Sequence, residues 1–255
     1  MRAILLAAGF GTRLRPLTDT IPKCLVPIRG QALLDIWLQK LAAAGIGPFL
    51  VNTHYLAAEV ATYVRLSAYA TQVTLVHEPE LLGTAGTLIA NIDFFCGGDG
   101  LLIHADNYCE QDFGRFLSAH RCRPAGCVMT MMTFRTDNPS SCGIVELDDR
   151  GVVVGFHEKV ESPPGNLANG AVYMLSEDFL RTVEIEFSDA TDFSTEVLPR
   201  FAGRIFTFET KHVFLDIGTP AAYSKANQQR PSGSGPTDRE FQDAENTMCR
   251  GASSA

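Results

Sequence analysis

Short apolar runs alternate with longer helical patterns through the first half of the chain. Runs of apolar and β-branched residues predict strands at Ala3–Ala8, Phe49–Thr53, Val73–His77, Leu101–Ala105 and Val128–Thr133. Between them, apolar residues at helical spacing predict helices at Leu33–Ala44, Leu56–Leu66, Thr84–Ile92 and Phe113–His120. Such alternation with short connections indicates right-handed crossovers. We therefore predict an α/β fold with a Rossmann-like, mixed and mostly parallel sheet flanked by helices.

The second half of the chain is richer in predicted strands. These are a hairpin from Gly143–Leu147 and Val152–His157, then Ala168–Leu175, Arg204–Glu209 and Val213–Asp216. Helices are predicted from Ser176 to Val183, over Ser194–Phe201, and from the Thr219–Pro220 cap to about Gln228. We expect one domain over residues 1–228, with a first half to about residue 135 and a small β-rich part over 136–228. The composition of residues 229–255 predicts a disordered tail.

The charge and hydropathy of the chain exclude several classes of protein. Its 255 residues carry a formal net charge of −8, which argues against a nucleic-acid-binding protein. No apolar run approaches the roughly 20 residues of a membrane helix, so no membrane partner is expected. The N-terminus enters a predicted strand at once, without the basic and apolar regions of a signal peptide. We therefore expect a cytoplasmic protein.

The stretch from residue 5 to residue 28 is typical of a loop that handles phosphate. Two glycines that let the backbone approach an anion are followed by two cations, in the order Gly9, Gly11, Arg13 and Lys23. A dinucleotide-binding fingerprint is excluded because Leu14 stands where a third glycine would have to pack. A kinase-type Gly-x-x-x-x-Gly-Lys-Ser/Thr loop does not occur. Taken alone, a strand followed by Gly-x-Gly is also compatible with an ordinary tight turn.

The whole stretch resembles the N-terminal motif of sugar-1-phosphate nucleotidyltransferases. That motif reads Leu-Ala-Ala-Gly-x-Gly-Thr-Arg-Leu-x-Pro-Leu-Thr, then a short spacer and Pro-Lys-x-Leu-x-Pro-Ile, and nearly every position is matched. The resemblance extends to about residue 228. It implies that the first half binds a nucleoside triphosphate, that the β-rich part binds a sugar 1-phosphate, and that Mg²⁺ is the cofactor. It also implies that Arg13 stabilises the leaving pyrophosphate and that Lys23 contacts phosphate.

Two aspartates that follow predicted strands are candidates for the metal site. Asp106 comes directly after Leu101–Ala105, where ligands of parallel sheets bind, although an aspartate there can also merely cap a turn. The family usually has glycine before this aspartate, where this chain has Ala105. Asp216 lies in Asp-Ile-Gly-Thr-Pro, which matches the family's late Asp-x-Gly-Thr-Pro motif. The resemblance implies that Asp106 and Asp216 bind one Mg²⁺, and that Asp106 belongs to the catalytic set with Arg13 and Lys23.

Shorter matches imply the positions of the two substrates. The nucleotide-binding residues implied are Leu6, Ala7, Ala8, Gly9, Gly11, Thr12, Arg13, Lys23, Glu78, Gly83, Thr84, Ala85 and Asp106. The sugar-phosphate-binding residues implied are Asn107, Gly143, Glu158, Lys159, Asn169 and Gly170. In the family, the Glu-Lys pair takes sugar hydroxyls through the glutamate and the phosphate through the lysine. Outside such a context, a Glu-Lys pair is usually a surface feature.

The base and the sugar are less constrained than the reaction. Leu82 to Gly86 read Leu-Gly-Thr-Ala-Gly, which matches the guanylyl-transferring branch of the family and favours GTP, although a simple capped helix explains it too. A short chain of this pattern most resembles enzymes that activate D-glycero-α-D-manno-heptose 1-phosphate for bacterial surface polysaccharides. The alternatives are mannose 1-phosphate with GTP, MurNAc 1-phosphate with UTP, and a non-catalytic subunit that binds sugar nucleotides. A homo-oligomer is compatible with the sequence.

Overall fold

A nine-stranded mixed sheet organises residues 1–229, the part of the chain that the computed structural model describes. The strands in chain order are β1 (Arg2–Leu6), β2 (Pro27–Ile28), β3 (Gln31–Ala32), β4 (Phe49–Thr53), β5 (Val73–His77), β6 (Gly100–His104), β7 (Asn107–Cys109), β8 (Met129–Arg135), β9 (Gly143–Leu147), β10 (Val153–Glu158), β11 (Leu167–Leu175), β12 (Ile205–Glu209) and β13 (Phe214–Asp216). Strands β5, β4, β1 and β6 are neighbours and parallel. Strand β11 runs antiparallel to β6 and β8, and β12 lies parallel beside β8.

Helices cover both faces of the sheet. They are α1 (Leu33–Ala43), α2 (Ala57–Leu66), α3 (Gly83–Ala90), α4 (Phe113–Arg121), α5 (Glu177–Glu186) and α6 (Pro220–Gln228). Successive residues of a strand point to opposite faces, so Ala3 and Leu5 pack in the core under α1, α2 and α4. Ile4 packs in the second core, under α3 and α5. All three residues are fully buried, as expected for a central parallel strand.

The predicted fold class is confirmed, with local differences. Strand β1 ends at Leu6 instead of Ala8, because the Ala7 N–H donates to the side chain of Asn52 (2.7 Å) instead of continuing the ladder. The helix predicted over Ser194–Phe201 is a π-helix at Phe193–Val197 followed by a 3-10 helix at Leu198–Phe201. Pro199 has no N–H to donate, which disfavours a continuous α-helix there. The predicted disorder of the tail concerns residues beyond 229, which lie outside the described residues.

A second, two-stranded sheet places two distant segments together. Strands β7 and β13 are antiparallel, with Asn107 opposite Asp216 and Cys109 opposite Phe214. Neither β7 nor its pairing with β13 follows from the local pattern. The pairing brings the segment after β6 next to the segment before α6, at the same edge of the main sheet as the glycine loop that follows β1. In the described part of the chain, no helix is both long and apolar enough to span a membrane.

Candidate active site

A cleft of about 410 Å³ opens at the carboxyl ends of the parallel strands. Every predicted nucleotide-binding residue except Ala85 lines it. Ala85 is fully buried in the first turn of α3, and its N–H donates to the Thr191 carbonyl (3.0 Å). Ala85 thus does not line the cleft in this structure, and its predicted nucleotide contact stays a prediction.

Arg13 and Lys23 reach the cleft in different ways. Arg13 lies in a short 3-10 helix after the glycine loop, and its side chain is 66% exposed. Lys23 begins the third 3-10 helix of this stretch, and its side chain is only 8% exposed. The loop between them is held by Thr18, whose hydroxyl donates to the Gly11 carbonyl (2.7 Å). Arg13 is thus largely exposed, whereas Lys23 is almost fully buried at the base of the cleft, which we call its floor.

Four charged side chains converge in this floor. The Lys23 ammonium lies 2.7 Å from Asp106 Oδ2 and 3.4 Å from Asp216 Oδ1. The Arg13 guanidinium lies 3.5 Å from Asp216 Oδ2. The Gly218 N–H donates to Asp216 Oδ1 (2.8 Å) and orients that carboxylate. The structure therefore brings together the two cations and the two aspartates that the sequence singles out.

The electrostatics keep Asp106 charged and a nearby thiol neutral. Removal from bulk water alone would raise the pKa of Asp106, but the charge and hydrogen bond of Lys23, together with His104, lower it. Asp106 is therefore a carboxylate at neutral pH. Burial raises the pKa of Cys24, which also lines the cleft, to about 12. A neutral thiol is a poor nucleophile, so the site has no reactive cysteine at this position.

The donor set fits Mg²⁺ in the presence of phosphate. Two carboxylates share one ammonium ion as their common partner, so this position accommodates a cation. Residues 1–229 contain no cluster of three or more His, Cys, Asp or Glu side chains that could hold a metal. Mg²⁺ is commonly bound through one or two carboxylates, with substrate phosphates and water completing its shell. Asp106 and Asp216 would hold it here, and that role stays a prediction.

A buried polar network supports the far wall of the cleft. Glu78 is only 2% exposed, and its carboxylate accepts from Asn52 Nδ2 (2.9 Å), Thr87 Oγ1 (2.6 Å) and the Leu82 N–H (3.2 Å). Asn52 in turn accepts from the Ala7 N–H, which ties β1 to β4. Glu78 thus lines the cleft as predicted, but its hydrogen bonds hold the wall together.

Seven residues that line the cleft are absent from the predicted set: Phe10, Cys24, Asn52, Leu81, Thr87, His104 and Gly218. The signal for Asn52 and His104 is a polar residue near the carboxyl end of an otherwise apolar strand. Removal from bulk water lowers the pKa of His104, although nearby carboxylates oppose this, so its imidazole is neutral. Its Nε2 is buried without a hydrogen-bond partner among the described residues. The imidazole is therefore an unused polar group beside Asp106.

The predicted sugar-phosphate residues lie outside this cleft, in and around β7, β9, β10 and β11. Gly143 and Glu158 face each other across β9 and β10, and Lys159 pairs with Glu158 (3.1 Å). Asn169 donates to the Tyr173 hydroxyl (2.7 Å) at a bulge of β11 that also contains Gly170. Asn107 is buried in β7, opposite Asp216. The structure therefore brings Asn107 to the charged floor and gathers the others on the β-rich part.

The π-helix connects the cleft to the β-rich part. The Phe193 N–H donates to Thr84 Oγ1 (2.8 Å) at the start of α3. The Phe193 ring packs on Tyr173, with ring centroids 4.9 Å apart. π-Helical turns often occur at functional sites, because the extra residue displaces side chains from the regular helical register. Here the π-helical segment joins Thr84, which lines the cleft, to Tyr173 in strand β11.

The chain belongs to the nucleotidyl transferase family, whose model matches residues 2–233. It is similar to "Probable mannose-1-phosphate guanylyltransferase 1" of Oryza sativa subsp. japonica, with 30% identity over 231 residues, 88% of this chain and 63% of that protein. It is also similar to "Mannose-1-phosphate guanylyltransferase catalytic subunit beta" of Drosophila pseudoobscura pseudoobscura, with 29% identity over 225 residues, 86% of this chain and 59% of that protein. The chain thus spans about three-fifths of the length of these curated relatives.

A solved structure matches over nearly its full length. HddC from Yersinia pseudotuberculosis, crystallised with GMP-PN, superposes with a TM-score of 0.73 at 26% identity. The match covers 89% of this chain and 98% of HddC. Fold and family therefore agree with the resemblance carried by the N-terminal motif.

Proposed function

We propose that the chain is a sugar-1-phosphate nucleotidyltransferase that transfers GMP from GTP to a sugar 1-phosphate and releases pyrophosphate. The observation that carries this proposal is the convergence of Arg13, Lys23, Asp106 and Asp216 in the floor of a cleft lined by the glycine loop. This floor combines cations for a triphosphate with carboxylates for a metal. Family membership supports the same reaction class.

The proposed reaction is an in-line phosphoryl substitution. An oxygen of the sugar phosphate attacks the α-phosphorus of GTP and forms the new phosphorus–oxygen bond. The bond from the α-phosphorus to the bridging oxygen breaks, and its electron pair leaves with pyrophosphate. Both reactants are anions, so charge neutralisation and positioning supply the catalysis and no covalent enzyme intermediate is required.

Each charged residue of the floor has a distinct part in this proposal. Arg13, which is largely exposed, would contact the β- and γ-phosphates and stabilise the charge of the leaving pyrophosphate. Lys23, fixed in the floor, would hold phosphate oxygens near the reacting centre. Mg²⁺, held by Asp106 and Asp216, would supply further neutralisation of phosphate charge. Lys159 and Glu158 would bind the sugar phosphate and its hydroxyls.

Two observations support GTP as the donor. The relatives reported above are named as guanylyltransferases, and the HddC structure contains GMP-PN. The start of α3, at Gly83 and Thr84, lines the cleft and carries the Leu-Gly-Thr-Ala-Gly sequence. For the acceptor, we propose D-glycero-α-D-manno-heptose 1-phosphate. Mannose 1-phosphate is the second candidate, favoured by the names of the relatives.

Pyrophosphate release from a panel of substrates tests the proposal. GTP, ATP, UTP and dTTP are each combined with the 1-phosphates of mannose, D-glycero-α-D-manno-heptose, glucose and MurNAc, with Mg²⁺ and with excess chelator. We expect Mg²⁺-dependent release that is fastest with GTP and the heptose. Preference for UTP would contradict guanylyl transfer, and preference for mannose would move the acceptor to the second candidate. No release from any pair would contradict the reaction itself.

A further inference from the structure

The Lys23 ammonium lies where a metal ion between the two aspartates would have to bind. It is 2.7 Å from Asp106 and 3.4 Å from Asp216, so one side chain spans both carboxylates. It is also nearly excluded from solvent, with 8% of its side chain exposed. Arg13, at 3.5 Å, adds a second positive charge to Asp216. In this arrangement, the protein itself neutralises the carboxylates that a metal requires.

We propose that Lys23 makes metal binding dependent on the nucleotide: its ammonium competes for Asp106 and Asp216 until triphosphate oxygens provide it with other acceptors. The inference rests on the proposed function and adds the control of its metal site. A divalent cation that enters the protein without nucleotide must displace a partly buried ion pair and remain close to a like charge. Free metal therefore binds weakly, although both of its carboxylates are in place.

A bound triphosphate changes this competition. Lys23 and Arg13 both line the cleft, so phosphate oxygens placed there attract both cations. The carboxylates then lose part of their internal neutralisation and gain affinity for the metal. Linkage requires the reverse effect as well, with the metal tightening nucleotide binding by the same factor. The result is a site that assembles only as a metal–nucleotide complex.

Removal of Lys23 should therefore strengthen metal binding in the absence of nucleotide. Mn²⁺ is the probe, because the free ion is counted from its EPR signal during titration. We expect Lys23→Met to bind Mn²⁺ at least about tenfold more tightly than the wild type, since the carboxylates lose their competing cation. Adding Asp106→Asn to Lys23→Met should remove the gained affinity.

Lys225→Met is the matched control. Lys225 lies on the exposed side of α6 and does not line the cleft, so its loss removes the same charge away from the site. This variant should bind Mn²⁺ as the wild type does. Equal Mn²⁺ affinity in the wild type and Lys23→Met would overturn the inference. An equal gain of Mn²⁺ affinity in Lys23→Met and Lys225→Met would overturn it as well. Lys23→Gln, which keeps a donor for Asp106, replaces Lys23→Met if that variant does not fold.

The wild type alone provides a second measurement. We expect Mn²⁺ without nucleotide to leave its Tm unchanged, and Mn²⁺ with GTP to raise the Tm more than GTP alone. An equal rise with Mn²⁺ alone and with Mn²⁺ plus GTP would overturn the inference. None of these measurements requires turnover. Failure of the proposed function is detected separately, as absence of pyrophosphate release from the wild type.

Discussion

An aspartate lies on either side of strand β6, and the two aspartates have different surroundings. Asp99 precedes the strand and Asp106 follows it, and their side chains are 43% and 42% exposed. Asp99 accepts from the Glu177 N–H at the start of α5 (3.0 Å) and lies 3.6 Å from the buried His120. Asp106 instead contacts the Lys23 ammonium beside an open cleft. Exposure alone does not distinguish them.

The chemistry of the neighbours distinguishes the two ends. Burial and, to a lesser extent, the Arg123 guanidinium lower the pKa of His120, and because Asp99 only partly opposes them the pKa is about 4. His120 is therefore neutral at pH 7 and bonds to Thr130 (2.9 Å), so the amino end of β6 is a structural cluster. The carboxyl end gathers charged side chains of both signs next to a cleft. An aspartate at a strand end becomes a candidate functional residue only where charged partners face an accessible space.

Loss of either carboxylate of the floor, Asp106 or Asp216, should have the largest effect on the rate, whereas loss of Asp99 at the other end of β6 should have little. We expect Asp106→Asn and Asp216→Asn each to lower the rate of pyrophosphate release at least about 1,000-fold, or about 4 kcal/mol, because each removes a ligand of the proposed metal site. Asp99→Asn is the matched control at the other end of β6 and should change the rate less than about twofold. Circular dichroism should show all three folded. Near-normal rates in either floor variant would disprove the two-carboxylate site.

The exposed cation of the loop should have the next largest effect. We expect Arg13→Ala to lower the rate about 100-fold, because the leaving pyrophosphate loses one charge partner. Arg15→Ala is the control from the same loop: Arg15 is 54% exposed, pairs with Asp19 (3.2 Å) and does not line the cleft. Neither variant should change the free energy of unfolding by more than about 0.5 kcal/mol. Equal losses of rate in both variants would show that net charge, and not position, matters.

The amino end of β6 should respond to pH through stability. The folded pKa of His120, about 4, lies below the unfolded value of about 6.5, so the unfolded chain binds the proton more readily. The contribution of neutral His120 is complete above pH 6.5 and is lost as the pH falls to 4, a change of about 3 kcal/mol. Urea unfolding of the wild type and His120→Gln at several pH values measures it. A constant difference between the two proteins across this range would contradict the prediction.

The smallest predicted effect concerns the backbone at the start of α3. Gly83 has φ +79°, and a Cβ built there would lie 2.3 Å from the Thr191 carbonyl oxygen. Gly30 has a similar φ of +84° with open space around it, so Gly30→Ala isolates the conformational cost of about 1 kcal/mol. We expect Gly83→Ala to cost about 2 kcal/mol in total and to raise the KM for GTP, because the wall of the cleft shifts. Equal destabilisation by Gly83→Ala and Gly30→Ala would contradict the prediction, because it would mean that the Thr191 backbone moves aside without a loss of stability.

Local sequence accounts well for many of the residues that line the cleft. The glycine loop, Arg13 and Asp106 occupy strand ends whose burial pattern is readable from apolar runs, and parallel strands end at a common edge. His104 and Asn52 were missed because a single polar residue in an apolar strand is more often a satisfied core residue. The burial of Ala85 could not be predicted, because helix position alone does not reveal which N–H groups are taken by a neighbouring segment.

The sequence by itself determined the fold class, the loops that follow the parallel strands, and the side chains available for the proposed nucleotidyl transfer. Only the tertiary structure decided that Lys23 lies between Asp106 and Asp216, because that contact depends on the pairing of β7 with β13. Neither strand is longer than three residues, so no periodic pattern announces it. A contact between segments so far apart in the chain is set by packing around the sheet edge, which local propensities do not encode.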